Sequence, residues 1–280
     1  MSVVLDGGAT EPLLAAFLVA LKIKGETSAE LAGFARAMRE RSIFVDCGAD
    51  VIDTCGTGGS GDGTFNISTI AAMVMAGAGA RVAKHGNRSI SSVSAGSAEV
   101  VEALGIKFAM TPEEAARAQR QLIGAPSAKV ARLMADALCE LGTERSFVVH
   151  GYNGLDEIST TGPTHVFEVR EGRVTEHTWS PADFGVACAT LEQLRGGDAA
   201  SNAAIAVAVL GGDLGPARDI VLINAAAGLV AAGIAADLGE GMARAQRSIQ
   251  SGAAFDRLHA LRGMFPIDEA SPARHGGIRS

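Results

Sequence analysis

Three short segments hold the residues of this chain best suited to chemistry. The first runs Asp53-Thr54-Cys55-Gly56-Thr57-Gly58-Gly59-Ser60-Gly61-Asp62-Gly63-Thr64-Phe65-Asn66-Ile67-Ser68-Thr69. Glycines directly after a β-prone run let the backbone turn tightly and bring bare N–H groups close to a ligand. The Asn/Ser/Thr cluster then opens a helix whose unpaired N–H groups and positive dipole end face the loop, a natural phosphate site. The segment is neither a P-loop nor a clean Rossmann fingerprint, and taken alone it is explained equally well by a glycine turn before an ordinary helix cap. The second segment is Lys84-His85-Gly86-Asn87-Arg88-Ser89-Ile90-Ser91-Ser92, where two cations, an amide and several hydroxyls gather. His85 by itself reads as a packed or hydrogen-bonded residue rather than a catalytic base. The third is Gly154-Leu155-Asp156-Glu157-Ile158, whose adjacent carboxylates suit Mg²⁺ if phosphate oxygens share the site, and otherwise make a solvated acidic turn.

These segments meet only if the chain folds as a parallel sheet, because loops after successive parallel strands gather at one carboxyl edge. The pattern supports that arrangement. Leu13, Leu14, Phe17, Leu18 and Leu21 recur at helical spacing, and Thr27-Ser28-Ala29-Glu30 is a capping box opening a second helix through Arg41. From Cys47 onward, strands alternate with helices. Strands are expected at Val51–Thr54, Arg81–Lys84 and Ser146–His150, and a hairpin at Val166–Val169 and Arg173–Thr178 around Glu171-Gly172. Helices are expected from Asn66–Thr69 to Gly77 or Gly79, after a Thr111-Pro112-Glu113-Glu114 cap, over Ala128–Leu141, and through most of Asn202–Leu261, with an irregular tail from Phe265. The expected fold is α/β: a small helical domain over residues 1–45, and a larger domain over 46–280 with a mostly parallel central sheet.

Composition narrows the ligand. The 280 residues are 48% hydrophobic and 20% charged, as in an ordinary globular protein. The net charge of −7 and the lack of a basic block argue against gripping nucleic acid or an anionic membrane through bulk charge. An anionic ligand therefore needs a local site. Cys47, Cys55, Cys139 and Cys188 are scattered without a C-x-x-C pair, so neither zinc nor a disulfide framework is expected. The N-terminus MSVVLDGGATE lacks the basic and apolar regions of a signal peptide, and the Ala/Gly-rich run from Ile220 to Ala236 reads as a buried helix rather than a membrane span. A soluble cytoplasmic protein is expected.

Gly56-Thr-Gly-Gly59 with Thr64-Phe-Asn-Ile-Ser-Thr69, then Lys84-His-Gly-Asn-Arg88, then Asp156-Glu157, resembles the anthranilate phosphoribosyltransferases. Phe17–Glu40, Glu99–Gly105, Thr161-Gly162-Pro163-Thr164, Leu194–Asp198 (LRGGD) and Asn224-Ala-Ala-Ala227 extend the likeness nearly end to end. The resemblance implies a homodimer that transfers the phosphoribosyl group of 5-phosphoribosyl-1-pyrophosphate (PRPP) to anthranilate with Mg²⁺, releasing pyrophosphate, in tryptophan biosynthesis. By resemblance, PRPP falls to Gly56, Gly59, Ser60, Thr64, Asn66, Ile67, Ser68, Thr69, Lys84, His85, Gly86, Asn87, Arg88, Ser91, Ser92 and Ser97. Anthranilate falls to Gly56 and Asn87, and the metal to Ser68, Asp156 and Glu157. No protein nucleophile or general base is implied, since displacing pyrophosphate from an oxocarbenium-like carbon needs charge neutralisation and alignment of the amine.

The chain departs from the family pattern in several places. Ser60 stands where the family usually has Asp, with Asp62 as a candidate substitute, and the Ser91–Ser97 loop is one residue longer. After Arg117–Leu122 the chain passes directly to Ile123-Gly-Ala-Pro-Ser127, where the family carries several tens of residues that include an arginine contacting anthranilate. A family-length N-terminal helix is absent as well. The expectation is therefore intact PRPP·Mg²⁺ recognition with impaired anthranilate binding and catalysis, and only the helices in residues 11–41 left to cover the site. Two other readings compete: a pyrimidine-nucleoside phosphorylase of the same architecture, and a non-catalytic phosphate-binding protein.

Overall fold

The computed structural model describes residues 1–45, 47–48, 50–57, 63–86, 95–107, 114–116 and 119–267. The chain opens with three helices, α1 (Ser2–Leu5), α2 (Glu11–Lys24) and α3 (Ser28–Arg41). The expected capping box holds: Thr27 Oγ1 accepts from the Glu30 N–H, and the Glu30 carboxylate accepts from the Thr27 N–H. Such a cap contributes about 1 kcal/mol. After it come β1 (Ile43–Val45), β2 (Val51–Gly56), α4 (Ile67–Gly77), β3 (Arg81–Val82), α5 (Ser97–Ala103), β4 (Glu114–Ala116), β5 (Arg120–Gly124), α6 (Ala128–Glu140), β6 (Arg145–Gly151), β7 (Thr164–Arg170) and β8 (Arg173–Trp179). Four helices close the chain: α7 (Ala199–Leu210), α8 (Pro216–Ala231), α9 (Leu238–Gln250) and α10 (Ala253–Met264).

A six-stranded sheet runs in the order β3-β2-β5-β6-β7-β8, with the first four strands parallel and β7–β8 an antiparallel hairpin on the edge. The hairpin turns on Glu171 and Gly172, both at positive φ, the two-residue geometry that matches strand twist. One face of the sheet packs on α4 and α8, with α9 and α10 behind them, and there Ile52, Leu122, Phe147 and Val149 join Ile70, Val74 and Ile223. The other face packs on α6, with Val148, Phe167 and Val169 against Ala131, Ala135 and Leu138. The Ala/Gly-rich run is α8, buried along Ile220–Ala231 inside the α/β core. Its small residues admit close neighbours: a Cβ on Gly241 of α9 would lie 2.6 Å from the Ala226 carbonyl oxygen. No described helix is long and apolar enough to cross a membrane.

Several expectations change. A helix is expected after the Thr111-Pro112 cap, yet Glu114–Ala116 form a strand paired in parallel with β1, so tertiary pairing overrides the helical propensity of Glu-Ala-Ala. Thr111–Glu113 lie outside the described residues. The strand expected over Arg81–Lys84 stops at Val82, and Arg120–Gly124 forms β5, whose Arg-Gln-Leu-Ile-Gly is too short and mixed to signal a strand in sequence. The N-terminal helices pack on the core through α3 against α6, where Ser28 and Arg36 hydrogen-bond Glu140. Glu140 ends α6, immediately before β6 begins, and so lies at the amino edge of the sheet. Those contacts are remote from the carboxyl-edge site that the helices were expected to cover.

Candidate functional site

The connections from β2 to β3 and from β5 to β6 run on opposite faces, through α4 and α6, so the carboxyl ends of β2 and β5 flank a topological switch point. Gly56 and Gly124 end these two strands as register partners. Asp156 fills the space between them: a Cβ on Gly56 would lie 2.6 Å from Asp156 Oδ2, and one on Gly124 would overlap the Asp156 backbone. Both glycines are thus required by close approach. The segment carrying Asp156 arrives there because β6 ends in a tight reversal at Asn153 and Gly154, both at positive φ. That reversal is closed by the Gly151 N–H donating to the Leu155 carbonyl at 2.7 Å.

Asp156 and Glu157 are both buried. Ser68, at the first turn of α4, presents its backbone N–H and hydroxyl toward the Glu157 carboxylate, and both favour its charged form. Lys84 Nζ donates to the Thr54 carbonyl at 2.6 Å and to Ser68 Oγ at 3.2 Å. Burial, followed by the charge of Asp156, pushes the Glu157 carboxyl up to about 8, against the pull of Lys84 and the Ser68 donors. Among the described residues, Lys84 is the cation that opposes these two adjacent buried carboxylates. The hydroxyls of Thr54 and Thr69 are buried beside it without a hydrogen-bond partner among the described residues.

His85 lies to the other side of β2. Its Nδ1 meets Asp53 Oδ2 at 2.6 Å, although the ring is 57% exposed. The hydrogen bond to Asp53, then that to Cys55, pushes the imidazole up to about 10. A shift in this direction favours the protonated ring at neutral pH, which disfavours a role as base. In an NMR titration its ring should change well above the ordinary histidine range, and Asp53→Asn should lower it, because the largest raising partner is removed. An unchanged titration in Asp53→Asn would show that the pair does not set it.

A family model described as glycosyl transferase family, a/b domain, matches residues 48–118 and 114–255, and one described as glycosyl transferase family, helical bundle domain, matches residues 1–42. An anthranilate phosphoribosyltransferase of Solibacter usitatus is 51% identical over 310 residues, which cover 93% of this chain and 91% of that protein. The chain belongs to the anthranilate phosphoribosyltransferase family. A second relative, from Chloroflexus aggregans, is 44% identical and covers 93% of this chain and 91% of that protein. The crystal structure of the Thermus thermophilus family member superposes with a TM-score of 0.85 at 35% identity, over 94% of this chain and 92% of that one. A Saccharomyces cerevisiae structure in complex with PRPP and Mg has a TM-score of 0.80 at 24% identity, covering 90% of this chain and 84% of that one, and speaks for the fold. The Solibacter match is 310 residues long against a chain of 280, so that family member carries residues with no counterpart here. The α/β match breaks into its two blocks at 114–118, beside the point where the sequence lacks the family's internal segment.

Within this family frame, the structure gathers Gly56, Ser68, Lys84, Asp156 and Glu157 at one place. Ile67 and Thr69 flank Ser68 in the first turn of α4. Ser97 opens α5 and reaches back to Gly86, where a Cβ would lie 2.7 Å from Ser97 Oγ. Asn66 is differently occupied: its Nδ2 donates to the Ala95 carbonyl and its Oδ1 accepts from Asn202 of α7. Thr64 bridges Arg195, and the Gly63 carbonyl accepts from the Gly196 N–H, so the LRGGD segment clamps the glycine loop's exit. Gly59, Ser60, Asp62, Asn87, Arg88, Ser91 and Ser92 lie outside the described residues.

Sequence reasoning missed Gly124 and the two buried asparagines. Asn224 Oδ1 accepts from the Ile158 N–H, and its Nδ2 donates to the carbonyls of Ile158 and Ile220. It ties the segment after Glu157 to α8. The available signal was a lone amide in an otherwise apolar helix, which must find partners when buried. Asn224→Ala strands the N–H and carbonyl of Ile158, and should lower unfolding stability by about 3 kcal/mol. Denaturant midpoints measure this, and an unchanged midpoint would mean the loop is held otherwise.

Proposed function

We infer that this chain transfers the 5-phosphoribosyl group of PRPP to the amine of anthranilate, releasing pyrophosphate, as a step of tryptophan biosynthesis. One observation carries the reading: the family's separated motifs converge at the β2–β5 switch point, where Asp156 and Glu157 meet Ser68 and Lys84 between two glycines that admit no side chain. A structure of the Saccharomyces cerevisiae enzyme holds PRPP and Mg, and another holds 4-fluoroanthranilate.

The residues present fit Mg²⁺. Hard carboxylate oxygens suit it, and two adjacent carboxylates stand buried beside Ser68 and Lys84. Asp156, Glu157 and the Ser68 hydroxyl are the residues that would hold it, and its contribution when bound is to neutralise charge that builds on the departing pyrophosphate. Around it, the resemblance gives Gly56, Gly59, Ser60, Thr64, Ile67, Ser68 and Thr69 to the phosphate oxygens, and the positive end of the α4 dipole favours an anion there. Lys84 supplies a fixed cation, and the resemblance gives Gly86, Asn87, Arg88, Ser91, Ser92 and Ser97 to the same ligand. By the same resemblance, anthranilate falls to Asn87 and Gly56. The protein's share of catalysis is alignment of the amine with the reacting carbon and stabilisation of the leaving group, with no covalent intermediate on the chain. Asn66 and His85 act from behind, Asn66 by fixing the loop before α5 and His85 by tying its segment to β2.

The same reading takes residues 1–45 as a small helical domain and 46–280 as the α/β domain, in a homodimer in the cytoplasm. Support comes from the helical-bundle match over 1–42 and the α/β match from residue 48.

The test is the fall of anthranilate fluorescence on mixing the protein with PRPP and Mg²⁺. Turnover is expected, and its absence in demonstrably folded protein would overturn the reading. Phosphorolysis of thymidine or uridine should not occur. A second reading, PRPP·Mg²⁺ binding with impaired transfer, is favoured by the family residues without counterpart in this chain. Calorimetric binding of PRPP·Mg²⁺ without any fall in fluorescence would establish it.

A further inference from the structure

A carboxylate oxygen of Asp53, the Cys55 Sγ and a ring nitrogen of His85 all lie within 4.8 Å of one another. Asp53 and Cys55 are two residues apart on a strand and share one face, while Ile52 and Thr54 between and beside them are buried on the opposite face. His85 reaches the same spot from the segment after β3, the edge strand next to β2. The second oxygen of Asp53, Oδ1, is buried and has no hydrogen-bond partner among the described residues. Apart from His85 tying its segment to β2, this cluster has no role in the reaction derived above.

We propose that Asp53, Cys55 and His85 form a binding site for a borderline-soft divalent cation of the Zn²⁺ class. Carboxylate oxygen, thiolate sulfur and imidazole nitrogen are the ligand types that Zn²⁺ and Co²⁺ accept together, whereas Mg²⁺ and Ca²⁺ avoid thiolate. Three protein ligands leave a fourth position, and the 57% exposed His85 ring opens it to water. In the metal-free protein, Asp53 and His85 share a proton across 2.6 Å. Two ligands at about 2.0 Å from one tetrahedral ion lie about 3.3 Å apart. The ring must therefore swing outward by less than 1 Å, on the scale of that difference, which its exposure permits. Binding displaces that shared proton and the Cys55 thiol proton, and both pass to solvent. A cation there clamps the Lys84-bearing segment to β2. The proposal stands apart from the phosphoribosyl reading.

Co²⁺ is the probe, added to the intact chain in excess Mg²⁺ so that the carboxylate pair is already supplied with a hard cation. Thiolate-to-Co²⁺ charge-transfer absorption is expected to saturate at one ion per chain, and Zn²⁺ should bleach it. Cys55→Ser should abolish the band. The Cys47→Ser/Cys139→Ser/Cys188→Ser variant, which keeps Cys55 alone, should retain it at unchanged intensity once circular dichroism shows a native fold. His85→Ala should weaken Co²⁺ binding more than about tenfold. Absence of the band from the unmodified protein, its survival in Cys55→Ser, or its loss from the folded variant with Cys55 alone would each overturn the proposal. The readout is optical and specific to thiolate ligation, so failure of the transferase assay leaves it unaffected.

Discussion

Replacing Asp156 and Glu157 together by alanine is expected to lower transfer by about a thousandfold or more, because charge stabilisation at the leaving group is worth several kcal/mol. The fold should survive. Both carboxylates are buried, and Glu157 is held near 8, so burying its charged form opposes folding rather than supporting it. A control follows from the sign of that shift. The folded pKa of about 8 stands above the ordinary 4.5, so the folded state holds more protons than the unfolded state between those values. The contribution of Glu157 to stability is full below about 4.5 and is lost as pH rises through about 8. In chelator, the unmodified chain should therefore lose stability across that window relative to the double variant. Denaturant midpoints at pH 5 and pH 8 measure the difference, while fluorescence measures transfer. Transfer at the unmodified rate would remove the pair from the mechanism, and parallel pH profiles of stability would show that Glu157 is not buried as a proton carrier.

The sequence shows the site most clearly where chemistry and local structure coincide. Gly56, the Asn66–Thr69 helix start, Lys84 and Asp156-Glu157 are each legible as types that phosphate and metal need, and strand–helix alternation places their loops on one edge. Less legible is what depends on tertiary partners. Gly124 reads as an ordinary residue in Ile123-Gly124-Ala125, because its requirement arises only when the Asp156 backbone arrives. Asn202 and Asn224 are buried amides whose partners lie far away in sequence. Glu114–Ala116 carries helical propensity but pairs with β1, and short β5 has no period to read. His85 is the intermediate case: its bland role was legible, whereas its Asp53 and Cys55 partners follow only from strand alternation combined with the neighbouring edge strand.

Gly124→Ala is expected to reduce transfer by about a hundredfold or more, the scale of a 1 Å misplacement of catalytic groups. The added Cβ would overlap the Asp156 carbonyl and backbone, so no side-chain rotation relieves it. Either β5 leaves its register opposite Gly56, which is set by the Gly56–Gly124 pair, or the segment from Leu155 to Ile158 lifts off the strand ends. The first disrupts the switch point and the second carries Asp156 and Glu157 away from Ser68. Moving that segment also strains the three hydrogen bonds of Asn224, so stability should fall by about 1–3 kcal/mol, as for other overpacked sites. Gly33→Ala is the matched control. It lies in α3, where an added Cβ meets nothing within 4 Å, and it should leave transfer unchanged while raising stability by about 0.5–1 kcal/mol. PRPP·Mg²⁺ calorimetry separates the two routes in Gly124→Ala. Lifting the carboxylate segment should weaken binding in step with the loss of transfer, and wild-type kcat/KM in this variant would show that the close approach of Asp156 to β5 is not what positions the site.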